Sequence, residues 1–143
     1  MLIWKEQNLF EFLRDNVVSD ISYCNGKYSF SDCISYINNW RIELKCRHRH
    51  YNLLLIEKEK YDHLICVANQ NKQIPIYVCS TPRGVWLFNL QDIFMDWFVQ
   101  NNLPVTTQFG NNDKICKIVG YLDINKGVCL TEFENNNTVG DWL

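Results

Sequence analysis

No apolar run in this 143-residue chain approaches the roughly 20 residues that a membrane-spanning helix needs. The opening Met1-Leu2-Ile3-Trp4-Lys5-Glu6 has neither the basic start nor the long apolar stretch of a secretion signal, so cytoplasmic residence is the expectation. No Cys-x-x-Cys pair occurs, and seven cysteines is an odd count, which argues against a disulfide framework. Cys33, Cys66, Cys79, Cys116 and Cys129 sit in apolar, strand-like runs and read as small core residues. There is no Gly-rich phosphate loop, no Gly-x-Ser-x-Gly elbow and no Cys-His signature. Internal repeats and interdomain linkers are also lacking.

What is present fits one compact domain, expected over residues 1–134 with a polar tail at 135–143. A hydrophobic share of 47% with 21% charged residues argues against disorder, and five Trp can fill a substantial core. Leu9, Phe10, Leu13 and Val17 recur at helical spacing and predict an amphipathic helix over 5–16. Strands are expected at 20–24, before the turn Asn25-Gly26, and at 28–37 and 40–51, joined by a two-residue turn at Asn38-Asn39. A helix at 53–61 follows, then strands at 63–68, 74–79 and 84–90, the last two joined by the Pro82-Arg83 turn. A helix at 92–100 and a closing hairpin of 114–122 with 128–133 complete the order. That alternation predicts a single-domain α/β fold with a mixed β-sheet flanked by helices. The aromatics Trp86, Phe88, Phe94, Trp97 and Phe98 follow these periods and read as core.

Charge is uneven along the chain. Residues 41–50 hold Arg41, Lys45, Arg47 and Arg49 against Glu43; the chain carries −2, so with +3 in this block the remainder carries −5. One basic block on an acidic background suits a protein that meets phosphates at one place. From charge alone, a solvated strand face is the better explanation.

Sixteen acidic residues supply an acid-x-Lys triplet by chance, so Glu43-Leu44-Lys45 gains weight only from its surroundings. Side chains two apart on a strand share a face, which sets Glu43 beside Lys45 and in a row with Arg41, Arg47 and Arg49. A two-residue turn at Asn38-Asn39 pairs Ile37 with Trp40, Ile34 with Glu43 and Asp32 with Lys45. Asp32, Glu43 and Lys45 then converge on one face. Two carboxylates with an ammonium can hold Mg²⁺ or Mn²⁺ against a phosphate. A cross-strand Asp32–Lys45 ion pair, worth under about 1 kcal/mol if exposed, accounts for the same arrangement. Glu6 lies on the apolar stripe of the first helix, where a carboxylate wants a partner or a metal, unless the helix begins just after it. Cys46, His48 and His50 alternate on the same strand but lack the further ligand a zinc site requires.

The string Ser31-Asp32, an eleven-residue step to Glu43-Leu44-Lys45-Cys46-Arg47, then Tyr51, Leu55-Ile56-Glu57-Lys58 and Lys60-Tyr61-Asp62, resembles the PD-(D/E)xK nuclease superfamily. It is most similar to small stand-alone members from phages and prophages, and to the branch of Holliday-junction resolvases and lambda-type exonucleases. Ser31 stands where the motif has proline. The resemblance implies a restriction-endonuclease-like fold and a Mg²⁺- or Mn²⁺-dependent hydrolase acting on DNA, in the host cytoplasm if phage-encoded. It casts Asp32, Glu43 and Lys45 as catalytic, and Asp32, Glu43, Leu44 and, from the first helix, Glu6 as the metal set. It points to Lys58 and Lys60 as DNA contacts, and the basic block adds Arg47 and Arg49 as DNA-binding candidates. A homodimer is the assembly it suggests, because two strands must be cut. The alternative is a catalytically silent module that keeps the fold to bind nucleic acid or a host protein.

Overall fold

The apolar runs at 74–81 and 84–89 lack the polar alternation of a half-exposed strand, and the strands they form are covered on both faces. The computed structural model describes residues 3–24, 33–104 and 114–134. Its elements are helix α1 (Glu6–Asn16), strands β1 (Ser22–Tyr23), β2 (Cys33–Ser35), β3 (Trp40–Cys46) and β4 (Leu53–Glu57), helix α2 (Lys58–Gln70), and strands β5 (Ile74–Thr81), β6 (Gly84–Asn89), β7 (Phe98–Pro104), β8 (Lys114–Asp123) and β9 (Val128–Glu132). Six strands form one sheet in the order β1-β2-β3-β5-β6-β9, and β4-β8-β7 form a second, antiparallel sheet. Among the described residues only the β3–β5 pair is parallel. A parallel pair needs a long crossover, and β4 with α2 provides it. The mixed α/β architecture expected from the sequence is the one found.

Alternation on the central strands sorts the core into two layers. Ile42, Leu44, Ile76, Val78, Val85 and Leu87 pack with Leu9 and Leu13 of α1. Tyr77, Cys79, Trp86 and Phe88 point the other way, against Leu64 of α2 and Leu54, Ile56 and Leu122 of the second sheet. Each large side chain so buried contributes about 1.5–3 kcal/mol. Two helices and a second sheet thus close both faces of the first.

Several elements differ from expectation. The run at 53–61 splits: its apolar half is β4, and α2 starts where the charges begin, with Glu57 at the N-cap. Residues 63–68 are helical, because Tyr61, Leu64, Ile65 and Ala68 form a stripe at helical spacing that the second core accepts. The segment at 92–100 is not a helix but a 3₁₀ turn at Leu90–Asp92, an extended stretch and the start of β7. Its burial alternates: Ile93 and Met95 are covered while Phe94 is 81% exposed. Gly120 is what lets it sit there, since a Cβ would strike Met95 and the Asp96 carbonyl. The expected closing hairpin is absent: β8 joins the second sheet and β9 the first. At the crossing, Gly127 lies flat on the Phe88 ring. Val17 is exposed and Val18 buried in its place, and of the cysteines read as core only Cys33 and Cys79 are buried, while Cys66, Cys116 and Cys129 are exposed. The turn Asn25-Gly26, residues 28–32 of the expected strand and the tail fall outside the described residues.

The Pro82-Arg83 turn forms as expected, with Thr81 paired to Gly84. Gly84 has φ of 156°, and a Cβ there would collide with the Thr131 carbonyl oxygen of β9. Gly84→Ala should therefore lower stability by about 1–3 kcal/mol, read as a fall in the urea midpoint. An unchanged midpoint would mean that β9 does not pack on this hairpin as described.

Candidate functional site

The turn between β2 and β3 sets the register of the acid-x-Lys strand. Asp20 accepts the Ser35 hydroxyl at 2.6 Å and the Ile37 N–H at 2.9 Å, and Ser35 Oγ in turn accepts the Asn38 N–H at 3.1 Å. These hydrogen bonds hold the Asp20 carboxyl below its usual range. Asn39 takes the left-handed conformation, with φ of 59°, and its side chain donates to the Lys72 carbonyl at 2.7 Å. Fixed in this way, the turn spans four residues rather than two, and Ser35, not Ile37, pairs with Trp40. Ile34 consequently aligns with Arg41 instead of Glu43. The shift is by two residues, so the parity of the faces is unchanged. Asp32 itself lies outside the described residues.

On β3, Ile42 and Leu44 face α1, so Glu43 and Lys45 face α2 and the second sheet. In the parallel ladder Glu43 aligns with Tyr77 and Lys45 with Cys79. Both β3 side chains are half-buried. Burial, followed by the charges of Lys60 and Arg47, pushes the Lys45 ammonium below the ordinary lysine range, while Glu57 acts in the opposite sense. Glu57, at the β4–α2 junction, pairs with Lys117 of β8 at 3.0 Å, with the two side chains 20% and 14% exposed. Among the described residues, Lys60 and Arg47 thus act on Lys45 from one side and Glu57, itself paired to Lys117, from the other, so that the cations here outnumber the carboxylates of Glu43 and Glu57. Such a surplus is a place for a phosphate.

The strand ends at Cys46, which breaks the expected row of arginines. Arg41 is tied to Gln73 at 2.8 Å and to the Cys24 sulfur at 2.7 Å. Arg47, expected to touch DNA, turns inward: its guanidinium donates to the Leu55 carbonyl on the free edge of β4 and to the Tyr77 hydroxyl at 3.2 Å. Its Nε is buried without a partner among the described residues. Arg49 and His48 are exposed on the bend that follows, and His50 meets Thr81 Oγ1 at 2.9 Å. Of the two helix lysines, Lys58 pairs with Asp62 at 2.6 Å and lies over the Trp97 ring, whereas Lys60 is the one whose charge reaches Lys45.

Glu6 is the first residue of α1, with Lys5 at the N-cap. It is half-buried, accepts the Tyr23 hydroxyl at 3.4 Å, and has its carboxyl pushed up by desolvation. Tyr23 aligns with Cys33, and Cys33 with Ile42, so Glu6 stands on the α1 side of the sheet. The structure does not bring it to Glu43. Leu44 has a buried apolar side chain and can offer only its carbonyl. Among the described residues no three His, Cys, Asp or Glu side chains converge on a cation site.

Glu57 and Lys117 were not assigned a role from the sequence. Glu57 sits inside the string that carries the resemblance; Lys117 gave no local signal, because only the β4–β8 pairing brings it near. Compared with known proteins, the chain matches no family model, no curated protein and no solved structure. No helix among the described residues is long and apolar enough to cross a membrane.

Proposed function

We propose that the chain is a metal-dependent phosphodiesterase acting on DNA, with Glu43 as a cation-binding carboxylate and Lys45 beside the reacting phosphate. The observation that carries this reading is the common half-buried face of Glu43 and Lys45, set against a surplus of positive charge from Arg47, Lys60 and Lys117. Support also comes from the mixed sheet with a helix on each face, the architecture that the PD-(D/E)xK resemblance implies. Asp32 enters as the second carboxylate on that resemblance alone.

The donor chemistry fits a hard divalent cation: Glu43 offers carboxylate oxygen, while His48 and His50 lie beyond the end of β3 and away from it. When bound, Mg²⁺ or Mn²⁺ supplies Lewis-acid polarisation of the phosphate. The chain's own residues do the rest. Lys45 holds positive charge where negative charge grows as water adds to phosphorus and the ester oxygen leaves, and its half-buried setting strengthens that interaction. Lys60, at the exposed start of α2, meets the phosphate backbone next to the scissile position.

Incubation with linear, circular and branched DNA in Mg²⁺, Mn²⁺ or EDTA tests the reading. Cleavage in either metal and none in EDTA is expected. DNA affinity should also fall steeply with salt, and Arg49→Glu should weaken it without unfolding the chain. Inactivity on every DNA form in both metals would leave the silent binding module as the better account.

A further inference from the structure

We propose that the outer face of the second sheet is a base-stacking platform that leads a single-stranded nucleic acid to Glu43 and Lys45. The inference rests on the phosphodiesterase reading for its destination and names the substrate class of that site. Antiparallel register sets Phe98 opposite Val119, Gln100 opposite Lys117, and Leu55 opposite Tyr121. Residues two apart share a face, so all of these project from one side, while Leu54, Ile56 and Leu122 project from the other into the core. The Tyr121 hydroxyl donates to Gln100 Oε1 at 3.5 Å, four positions along the strand. Its ring therefore leans along the sheet toward Gln100, and Val119 of the same face is fully buried.

The result is an aromatic surface in water: Tyr121 is 40% exposed and Phe98 54%. Rings on neighbouring strands of an open sheet face are what unpaired bases stack on, whatever their sequence. A duplex keeps its base faces inside and offers them none. Charge decides between this occupant and an apolar one. At one end of the face lies the Glu57–Lys117 pair, and beyond it Lys45, Arg47 and Lys60, where among the described residues cations outnumber carboxylates. The carboxylate at the opposite end, Asp123, accepts the Asn125 N–H. A strand of alternating base and phosphate matches an aromatic strip that runs into a basic cluster; a second copy of an acidic chain with pI 5.9 does not.

The test is a binding assay without divalent metal, by fluorescence anisotropy of labelled oligothymidylate, an RNA oligouridylate, a duplex of equal length and an abasic strand of equal charge. Single strands should bind at least about tenfold more tightly than duplex or abasic strand. Phe98→Ala should weaken single-strand binding roughly five- to a hundredfold, and Phe98→Leu, apolar but unable to stack, nearly as much. Phe98→Trp should restore it. A thermal melt of each variant checks the fold. Equal affinity for duplex, abasic and single strands would overturn the inference, as would binding indifferent to Phe98. So would a dimer of the wild type that Phe98→Ala turns into a monomer with no oligonucleotide bound. Retained single-strand binding without cleavage in Mg²⁺ or Mn²⁺ would sink the hydrolase reading and leave the platform standing.

Discussion

Lys45→Ala should lower the rate of DNA cleavage by roughly two orders of magnitude or more, the loss expected when one preorganised electrostatic donor is removed. DNA affinity should change only modestly, because Lys60 and Lys117 remain in the cluster. Folding stability should hold or rise. Lys45 is half-buried, and its neighbours Lys60 and Arg47 repel it, so its charge opposes the folded state more than it supports it. That combination separates catalysis from structure. A cross-strand ion pair that mattered only to the fold predicts the reverse: lower stability and no rate to lose. Single-turnover cleavage beside a urea melt of the same preparation reads both quantities.

Arg47→Ala should act on the fold instead. The guanidinium joins the end of β3 to the Leu55 carbonyl on the edge of β4 and to the Tyr77 hydroxyl on β5. Its removal leaves two acceptors without their donor, at a cost of about 1–3 kcal/mol for each that water cannot reach. The urea midpoint should fall accordingly. Arg47→Lys should recover part of the loss, since both bonds leave one guanidinium nitrogen, Nη2, and an ammonium has donors enough for both but on a shorter stem. Arg49→Glu, two residues on and exposed, should leave stability within about 0.5 kcal/mol while weakening DNA binding. If Arg47→Ala were as stable as wild type and lost DNA affinity instead, the guanidinium would belong to the binding surface that the sequence first suggested.

The difference between these two arginines marks how far the sequence could be read. Strand parity was legible: Ile42 and Leu44 face the core and Glu43 and Lys45 the other side, because the period of two survives any even shift of register. The shift itself was not legible. Asn38-Asn39 carries a genuine turn signal, but Asp20, fifteen residues before Ser35, captures its hydroxyl and lengthens the turn. Helix and strand were exchanged wherever a short apolar run allows both periods, at 53–61, 63–68 and 92–100. The deciding contacts there are distant ones, Met95 and Trp97 against Gly120 and Leu64 against the second core. The second sheet had no local signature, since its three strands pair across the chain. The Glu57–Lys117 pair and the exposed aromatic face were hidden with it. Phe98, read from its spacing as core, lies outside because β7 is the edge strand of the second sheet, where Val99 beside it is exposed as well.

Glu43→Gln tests the central claim most directly, because it keeps the size and hydrogen-bonding reach of the side chain and removes only the charge a cation needs. Cleavage by wild type and variant should be followed across Mg²⁺ and Mn²⁺ concentration, with EDTA as the blank. The account predicts metal-dependent cleavage by wild type, none by the variant in Mg²⁺, and partial recovery in excess Mn²⁺, with DNA binding retained throughout. Equal cleavage by both proteins, or cleavage by wild type that EDTA does not stop, would contradict it.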